Sequence, residues 1–274
     1  MSTMVSDLGT AVAGSARVVP ASGLRGRRGA RLLERNYTVF KRYSWTVVLS
    51  GFFEPLFYLL SIGKGLGTLV GGIHGVTYAQ YVAPALLATS AMNGAIYDST
   101  ANLFFKLKYQ KLYDAVLATP LSVNDVAFAE VLWALTRGAV YSVVFVVVMA
   151  ALGLIVSWWA LLALPVAIGI GFAFAATGMA AVTWVRSWQD LELMQIVILP
   201  LFLFSATFYP LSTYPHWLQV ATQVSPLYHG VALERSLTLG DVGWADLAHV
   251  GVLVALGGVA MSIATRRLGK LLIT

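Results

Sequence analysis

Apolar residues in this chain come in long, nearly unbroken blocks, not in the short alternations of a water-facing fold. The blocks fall at about 44–63, 78–98, 138–156, 158–185, 193–211 and 246–265. A hydrocarbon layer about 30 Å thick needs about 20 apolar residues in helical form. The pattern therefore predicts an all-α integral membrane protein with six transmembrane helices. Glu54-Pro55 interrupts the first block and Pro200 the fifth. A proline inside a helix frees a carbonyl and bends the rod. The third and fourth blocks meet at Ser157, followed directly by Trp158 and Trp159, which predicts a tight hairpin with aromatic anchors at the membrane surface.

Three stretches outside the blocks carry different patterns. Over 28–42, Leu32, Leu33, Tyr37 and Phe40 recur at helical spacing, while Arg28, Arg31, Arg35, Lys41 and Arg42 hold most other positions. This predicts an N-terminal amphipathic interfacial helix on the inner leaflet, with Arg31, Arg35, Phe40 and Lys41 in its contact face. Over 105–125, Tyr109, Leu112, Tyr113, Val116 and Leu117 share one face of a short helix that stops by Pro120. Ser122 and Asp125 then form a Ser-x-x-Asp capping box that starts the next helix. A short cytoplasmic helix with an apolar edge suits docking on a partner; packing of that edge on the spans or in the headgroups stays open. Over 208–245, Pro210, Pro215 and Pro226 punctuate Phe208, Tyr209, Tyr214, Trp217, Leu218, Leu227 and Tyr228. That stretch is too apolar for a solvated loop and too broken to span. It predicts short re-entrant outer helices before the last span, embedded in protein.

Composition agrees with lipid as solvent. Of 274 residues, 58% are hydrophobic and 11% charged, against about 25% charged in soluble domains. Residues 1–25 are small and polar and read as a disordered cytoplasmic N-terminus without a signal-peptide core, and 26–274 as the transmembrane domain.

The net charge of +6 is topological. With the N-terminus inside, Arg17 to Arg42, Lys106, Lys108, Lys111, Arg186, Arg266, Arg267 and Lys270 all fall on the cytoplasmic side. Lys64 and Arg235 fall outside, and Arg137 lies near the inner start of the third span. Basic residues that flank separate spans obey the positive-inside rule and do not form a nucleic-acid patch. Both termini are expected in the cytoplasm.

Candidate chemistry is sparse. With no cysteine there is no disulfide, zinc-thiolate site or thiol nucleophile. The histidines, at 74, 216, 229 and 249, lack metal-ligand spacing, and no cofactor is expected. No P-loop exists: Gly269-Lys270-Leu271 lacks the upstream glycine and the hydroxyl. If transport is ATP-driven, a separate polypeptide must hydrolyse the ATP. Glu54, near the middle of the first span, costs about 2.5–3.5 kcal/mol to insert. It belongs in the translocation pathway or in a polar lock between helices; a hydrogen-bonded structural glutamate beside the Pro55 kink stays open. Asp98 and Asn102 lie at the inner end of the second span, and Glu130 and Arg137 share a helical face. All four read as interfacial or structural. Glu234 and Arg235 are expected to pair with each other or with headgroups. Gly171/Ala175, Gly251/Ala255 and Gly258/Ser262 have the small-x-x-x-small spacing of helix-packing faces.

Several ordered segments resemble one family. Phe53-Glu54-Pro55-Leu56-Phe57-Tyr58-Leu59-Leu60 with Gly63 and Gly67 looks like the first span of ABC-2 type permeases, and Tyr81 to Leu87 like the second. Tyr113-Asp114-Ala115-Val116-Leu117-Ala118-Thr119-Pro120-Leu121-Ser122 resembles the family's cytoplasmic coupling segment, followed by Glu130-Val131-Leu132-Trp133. Tyr209-Pro210-Leu211, Pro215 to Leu218, Ser225 to His229, Leu233-Glu234-Arg235 and Leu239-Gly240 resemble its outer segment. Pro84-Ala85 stands where the family has Pro-Gly. The similarity runs over about 30–270, nearest to permeases of nodulation-factor (lipo-oligosaccharide) and daunorubicin-type drug export. It implies a membrane subunit of an ABC exporter in the bacterial plasma membrane, not itself an enzyme. Two ABC ATPase subunits and a second permease, identical or related, would complete the complex. Lys111, Leu112, Tyr113, Val116, Leu117 and Pro120 would couple it to the ATPase. Two other readings stay open: an ion-coupled secondary transporter using Glu54, and a membrane-embedded lipid-modifying enzyme.

Overall fold

The computed structural model describes Phe53 and residues 56–70, 72–73, 75–109 and 122–273. These residues are almost entirely helical. Helix α1 is Leu56–Val70, with a widened π-type middle. A two-residue hairpin, β1 (Gly72–Ile73) and β2 (Val76–Thr77), turns the chain into α2, Tyr78–Tyr97. A π turn at Asp98–Asn102 leads to α3, Leu103–Lys108. Then come α4 (Val123–Ala151), a 3-10 turn (Trp158–Leu162), α5 (Ala163–Val182) and α6 (Trp188–Leu203). Two short helices follow, α7 (His216–Val224) and α8 (Pro226–Leu239), and the final helix is α9, Ala245–Ile273.

Among the described residues, three helical segments are long and apolar enough to cross a membrane: Val123–Ala151, Trp158–Val182 and Ala245–Leu271. Helix α2 has 20 residues, about 30 Å at 1.5 Å per residue, but Gln80, Thr89, Ser90 and Asn93 make it more polar. Helix α6 has 16 residues and carries Asp190 and Glu192 near its start.

Local chemistry sets the element ends. Thr77 and Gln80 form a capping box at the start of α2, and Ser122 and Asp125 form the expected one at the start of α4. That cap starts α4 well before the apolar block at 138, so its first turns carry Asp125, Glu130 and Arg137. The helix also stops at Ala151, before Ser157. Gly153 takes the left-handed backbone (φ 68°) that breaks it. The hairpin is therefore a six-residue turn, closed where the Val156 and Ser157 amides donate to the Thr238 carbonyl. Trp158 and Trp159 stack there at 4.3 Å. The fifth apolar block ends as helix at Leu203 rather than 211. Beyond it Ala206 adopts a positive φ of 55°, and its carbonyl is taken by Arg235.

Helix α5 is the hub, packed by α2, α4, α8 and α9. Half of its apolar window is buried, against 28% for α4 and α9. Small residues make this possible. A Cβ on Gly178 would collide with Ser99, one on Gly230 would lie 2.9 Å from Ile170, and one on Gly257 would lie 2.5 Å from Phe172. The expected glycine faces are mostly elsewhere. Gly171 has ordinary contact with Leu135, while Gly251 and Gly258 face open space. Those two glycines therefore mark a surface of α9 that meets none of the described residues. In the 208–245 stretch the two short helices form as expected. Helix α8 is embedded in protein, with Leu227, Gly230, Val231, Leu233, Glu234 and Leu237 buried.

Candidate functional site

Two ion pairs bind the ends of α2 and α3 to α4, on both sides of the 110–121 segment. The Lys106 ammonium lies 2.6 Å from the Glu130 carboxylate. The Arg137 guanidinium lies 2.7 Å from Asp98, whose side chain is only 5% exposed. The Asn102 amide donates to the same Asp98 oxygen at 2.5 Å, and Arg137 also donates to the Tyr141 hydroxyl at 3.3 Å. Breaking a buried pair on one side strands a charge, at a cost of about 3–5 kcal/mol. The network therefore makes a stiff base for whatever lies between α3 and α4.

A cleft of about 40 Å³ opens between α1, α2, α4 and α6. Leu86, Thr89, Ser90 and Asn93 form one edge of α2 at helical spacing, facing Tyr58, Phe145 and Phe202. The Thr89 hydroxyl donates to the Ala85 carbonyl at 2.8 Å, so it is satisfied within its own helix. The cleft offers a short polar strip against aromatic walls. Helix α6, on its far side, has no buried residue, and Leu193, Ile196, Val197 and Leu199 are all exposed.

At the opposite end from the ion pairs, Arg235 on α8 lies 3.8 Å over the Tyr81 ring. It donates to the carbonyls of Tyr81 at 3.2 Å and Ala206 at 2.9 Å. It thereby clasps the break after α6 to the start of α2. Its neighbour Glu234 points elsewhere, on the α8 face shared with Gly230 and Thr238, between the contacts to Ile170 and to the Ser157 turn. It is fully buried, and neither carboxyl oxygen has a hydrogen-bond partner among the described residues. Burial pushes its pKa well above the ordinary 4.5, which favours the neutral carboxyl.

Comparison with known proteins decides the family. The profile of the ABC-2 type transporter matches residues 30–238. The chain belongs to the ABC-2 type transporter family. Nodulation protein J of Rhizobium leguminosarum bv. trifolii is 35% identical over 221 residues, 80% of this chain and 84% of that protein. Nodulation protein J of Rhizobium meliloti (strain 1021) is 32% identical over 220 residues, 80% of this chain and 82% of that one. The inner membrane transport permease YadH of Escherichia coli (strain K12) is 24% identical over 199 residues, 72% and 77% of the two chains. As an ABC-2 member with three apolar spans, the chain is an integral membrane protein and a membrane component of a transporter.

Several residues expected to matter lie outside the described residues: Arg31, Arg35, Phe40, Lys41, Glu54, Lys111, Leu112, Tyr113, Val116, Leu117 and Pro120. One pairing differs from expectation. Glu234 and Arg235 do not pair with each other, because neighbours on a helix project about 100° apart. Glu130 and Arg137 share a helix but serve different partners, Lys106 and Asp98. A signal for the last two pairs is present in the sequence. Going away from the loop, Lys106 and Asp98 on one side mirror Glu130 and Arg137 on the other, with opposite signs at matching distances. Antiparallel helices put such positions side by side. Nothing in the spacing foretells the meeting of His229 with His249.

Proposed function

We propose that this chain is the permease subunit of an ATP-driven exporter, coupled through the 111–120 segment to a separate ATPase. The observation that carries the reading is the pair of ion bridges, Lys106–Glu130 and Asp98–Arg137, at the base of that segment in a chain of the ABC-2 family. A push on Lys111, Leu112, Tyr113, Val116, Leu117 or Pro120 would pass through this stiff base into α2 and α4. Those two helices line the cleft at Ser90, Asn93 and Phe145. Its chemistry, a polar strip between aromatic walls, suits an amphipathic cargo: a lipid-linked or glycolipid substrate, or a hydrophobic drug-like one. The interfacial helix, with Arg31, Arg35, Phe40 and Lys41, would rest beside the ATPase on the inner leaflet. Glu54, near the start of α1, would lie along the route or lock helices together.

Two permease chains and two ATPases complete the assembly in this reading. The bare apolar face of α6 is the natural place for a second permease chain. Six spans follow if α1, α2 and α6 cross beside the three long apolar segments. Residues 1–25 would form a cytoplasmic extension of a single transmembrane domain. ATP would drive transport by binding one permease arrangement in preference to another.

The test is affinity capture from native membranes in mild detergent, with mass spectrometry and an ATPase assay. A P-loop ATPase is expected with the parent chain. It should be lost when Leu112, Tyr113 and Leu117 are all changed to serine. Recovery of no ATPase, under conditions that keep a known ABC complex intact, overturns the reading.

A further inference from the structure

His229 and His249 are twenty positions apart in sequence, yet the fold sets them face to face. His229 lies in the first turn of α8 and His249 in the second turn of α9. Their Nδ1 atoms are 2.7 Å apart, and their ring centroids 5.0 Å apart. Tyr228 closes one side, edge-on to both rings at 5.5 and 5.9 Å. An N–H···N contact needs a bare nitrogen as acceptor, so one imidazole lone pair already points at the other ring. Both rings are half-buried beside the exposed loop 241–245, where Trp244 is 89% exposed. An ion from the aqueous phase at that end can therefore reach them. Neither histidine belongs to the ion-paired base, the cleft or the Arg235 clasp.

We propose that His229 and His249 form a two-imidazole site for a late first-row divalent ion, Zn²⁺ or Ni²⁺, that bridges α8 to α9. Neutral imidazole is a preferred ligand of these ions. With metal–nitrogen bonds of about 2.0–2.1 Å, two nitrogens on one tetrahedral ion stand roughly 3.3 Å apart. The rings need to part by only about 0.6 Å from their present contact, a small side-chain rotation. The proton now shared between them moves to the far nitrogen of the donor ring, so both rings stay neutral and none is released. Water fills the remaining positions. Asp246, the nearest carboxylate along α9, is engaged in capping that helix through the Gly243 amide at 2.9 Å. With two protein ligands instead of the four of a structural zinc site, the ion exchanges readily. Its effect is to pin the outer helix α8 to the outer end of α9.

The test uses the full chain, purified in detergent with an affinity tag free of histidine. Zn²⁺ and Ni²⁺ are titrated by calorimetry, with Mg²⁺ as the oxygen-seeking control. One saturable site per chain is expected for Zn²⁺ and Ni²⁺, and none for Mg²⁺. Loss of an outer-shell partner alone weakens metal sites about 10–100-fold, so His229→Ala or His249→Ala should weaken binding at least tenfold. His74→Ala and His216→Ala should leave it unchanged. The amide variants His229→Gln and His249→Gln keep the local shape and should unfold thermally like the parent while losing the site. Zn²⁺ should also slow backbone hydrogen exchange across Pro226–Leu239 in the parent and not in those variants. Absence of a saturable Zn²⁺ site, or a site that survives loss of either histidine, overturns the proposal.

Discussion

At the residue scale, four charged groups removed wholly or partly from solvent solve the same problem in three ways. Asp98 and Arg137 neutralise each other. Arg235 spreads its charge over backbone carbonyls and the Tyr81 ring. At Glu234, burial without a described partner favours the uncharged form. Asp98→Asn keeps the shape but leaves Arg137 without its anion, and is expected to lower stability in detergent by about 3–5 kcal/mol. Replacing both partners, Asp98→Asn with Arg137→Met, should recover part of that loss. Denaturant or thermal unfolding of the purified chain measures both. Glu234 behaves oppositely. Its raised pKa means the folded chain holds a proton that the unfolded chain releases. Stability is therefore full below the ordinary value near 4.5 and falls as pH rises from there towards the folded pKa. Glu234→Gln should flatten that slope and be as stable as the parent or more so at neutral pH, read from unfolding midpoints across pH. The presence of a charge near each end of a span is legible in the sequence. Which of the three solutions each adopts is not, because that depends on the atoms brought opposite it.

At the element scale, α5 is central because its neighbours approach where small residues let them. Gly178 accepts Ser99 and Thr100 from the π turn, and Gly257 accepts Phe172 from α5. Adding one methyl at Gly178 or Gly257 overpacks these contacts and is expected to cost about 1–3 kcal/mol. The same change at Gly251 or Gly258 meets nothing among the described residues and should leave stability unchanged or slightly raised, since alanine favours helix over glycine by about 1 kcal/mol. A four-variant unfolding series separates the two groups. Capping chemistry made the start of α4 legible at Ser122, and α2 begins within the expected block. The end of the fifth block was not legible, because Phe204, Ala206 and Phe208 carry apolar positions past Leu203. Past the end of α6, Arg235 takes the Ala206 carbonyl, and the Ser205 and Thr207 hydroxyls bond back to the carbonyls of Leu201 and Phe202.

At the scale of the whole molecule, the structure gathers Lys106, Arg137 and Arg267 at one end and sets Arg235 at the other. Arg267 donates to the Thr183 hydroxyl at 3.0 Å and lies over Trp184, which places the end of α9 beside the end of α5. Gly178 meets Ser99 there, and the Lys106 and Arg137 pairs join α4 to the same end. The outer helices and the 241–245 loop lie at the other. Because the chain has no cysteine, single thiols can report the topology. A cysteine at Gly243 should react with a membrane-impermeant maleimide in intact cells. One at Lys108 should react only after lysis, and the reverse result would invert the orientation. By itself the sequence determined the solvent, the class and the family: long apolar blocks have no stable place in water, and motif order along a chain needs no coordinates to be read. Tertiary structure alone decided the partners. The Asp98–Arg137 bridge, the Arg235 clasp, the buried Glu234 carboxyl without a partner among the described residues and the His229–His249 contact each join residues, or leave one alone, across distances that no local spacing encodes. The reason is that the energy of a charge in an apolar interior depends on the few atoms within hydrogen-bond reach, and folding is what chooses them.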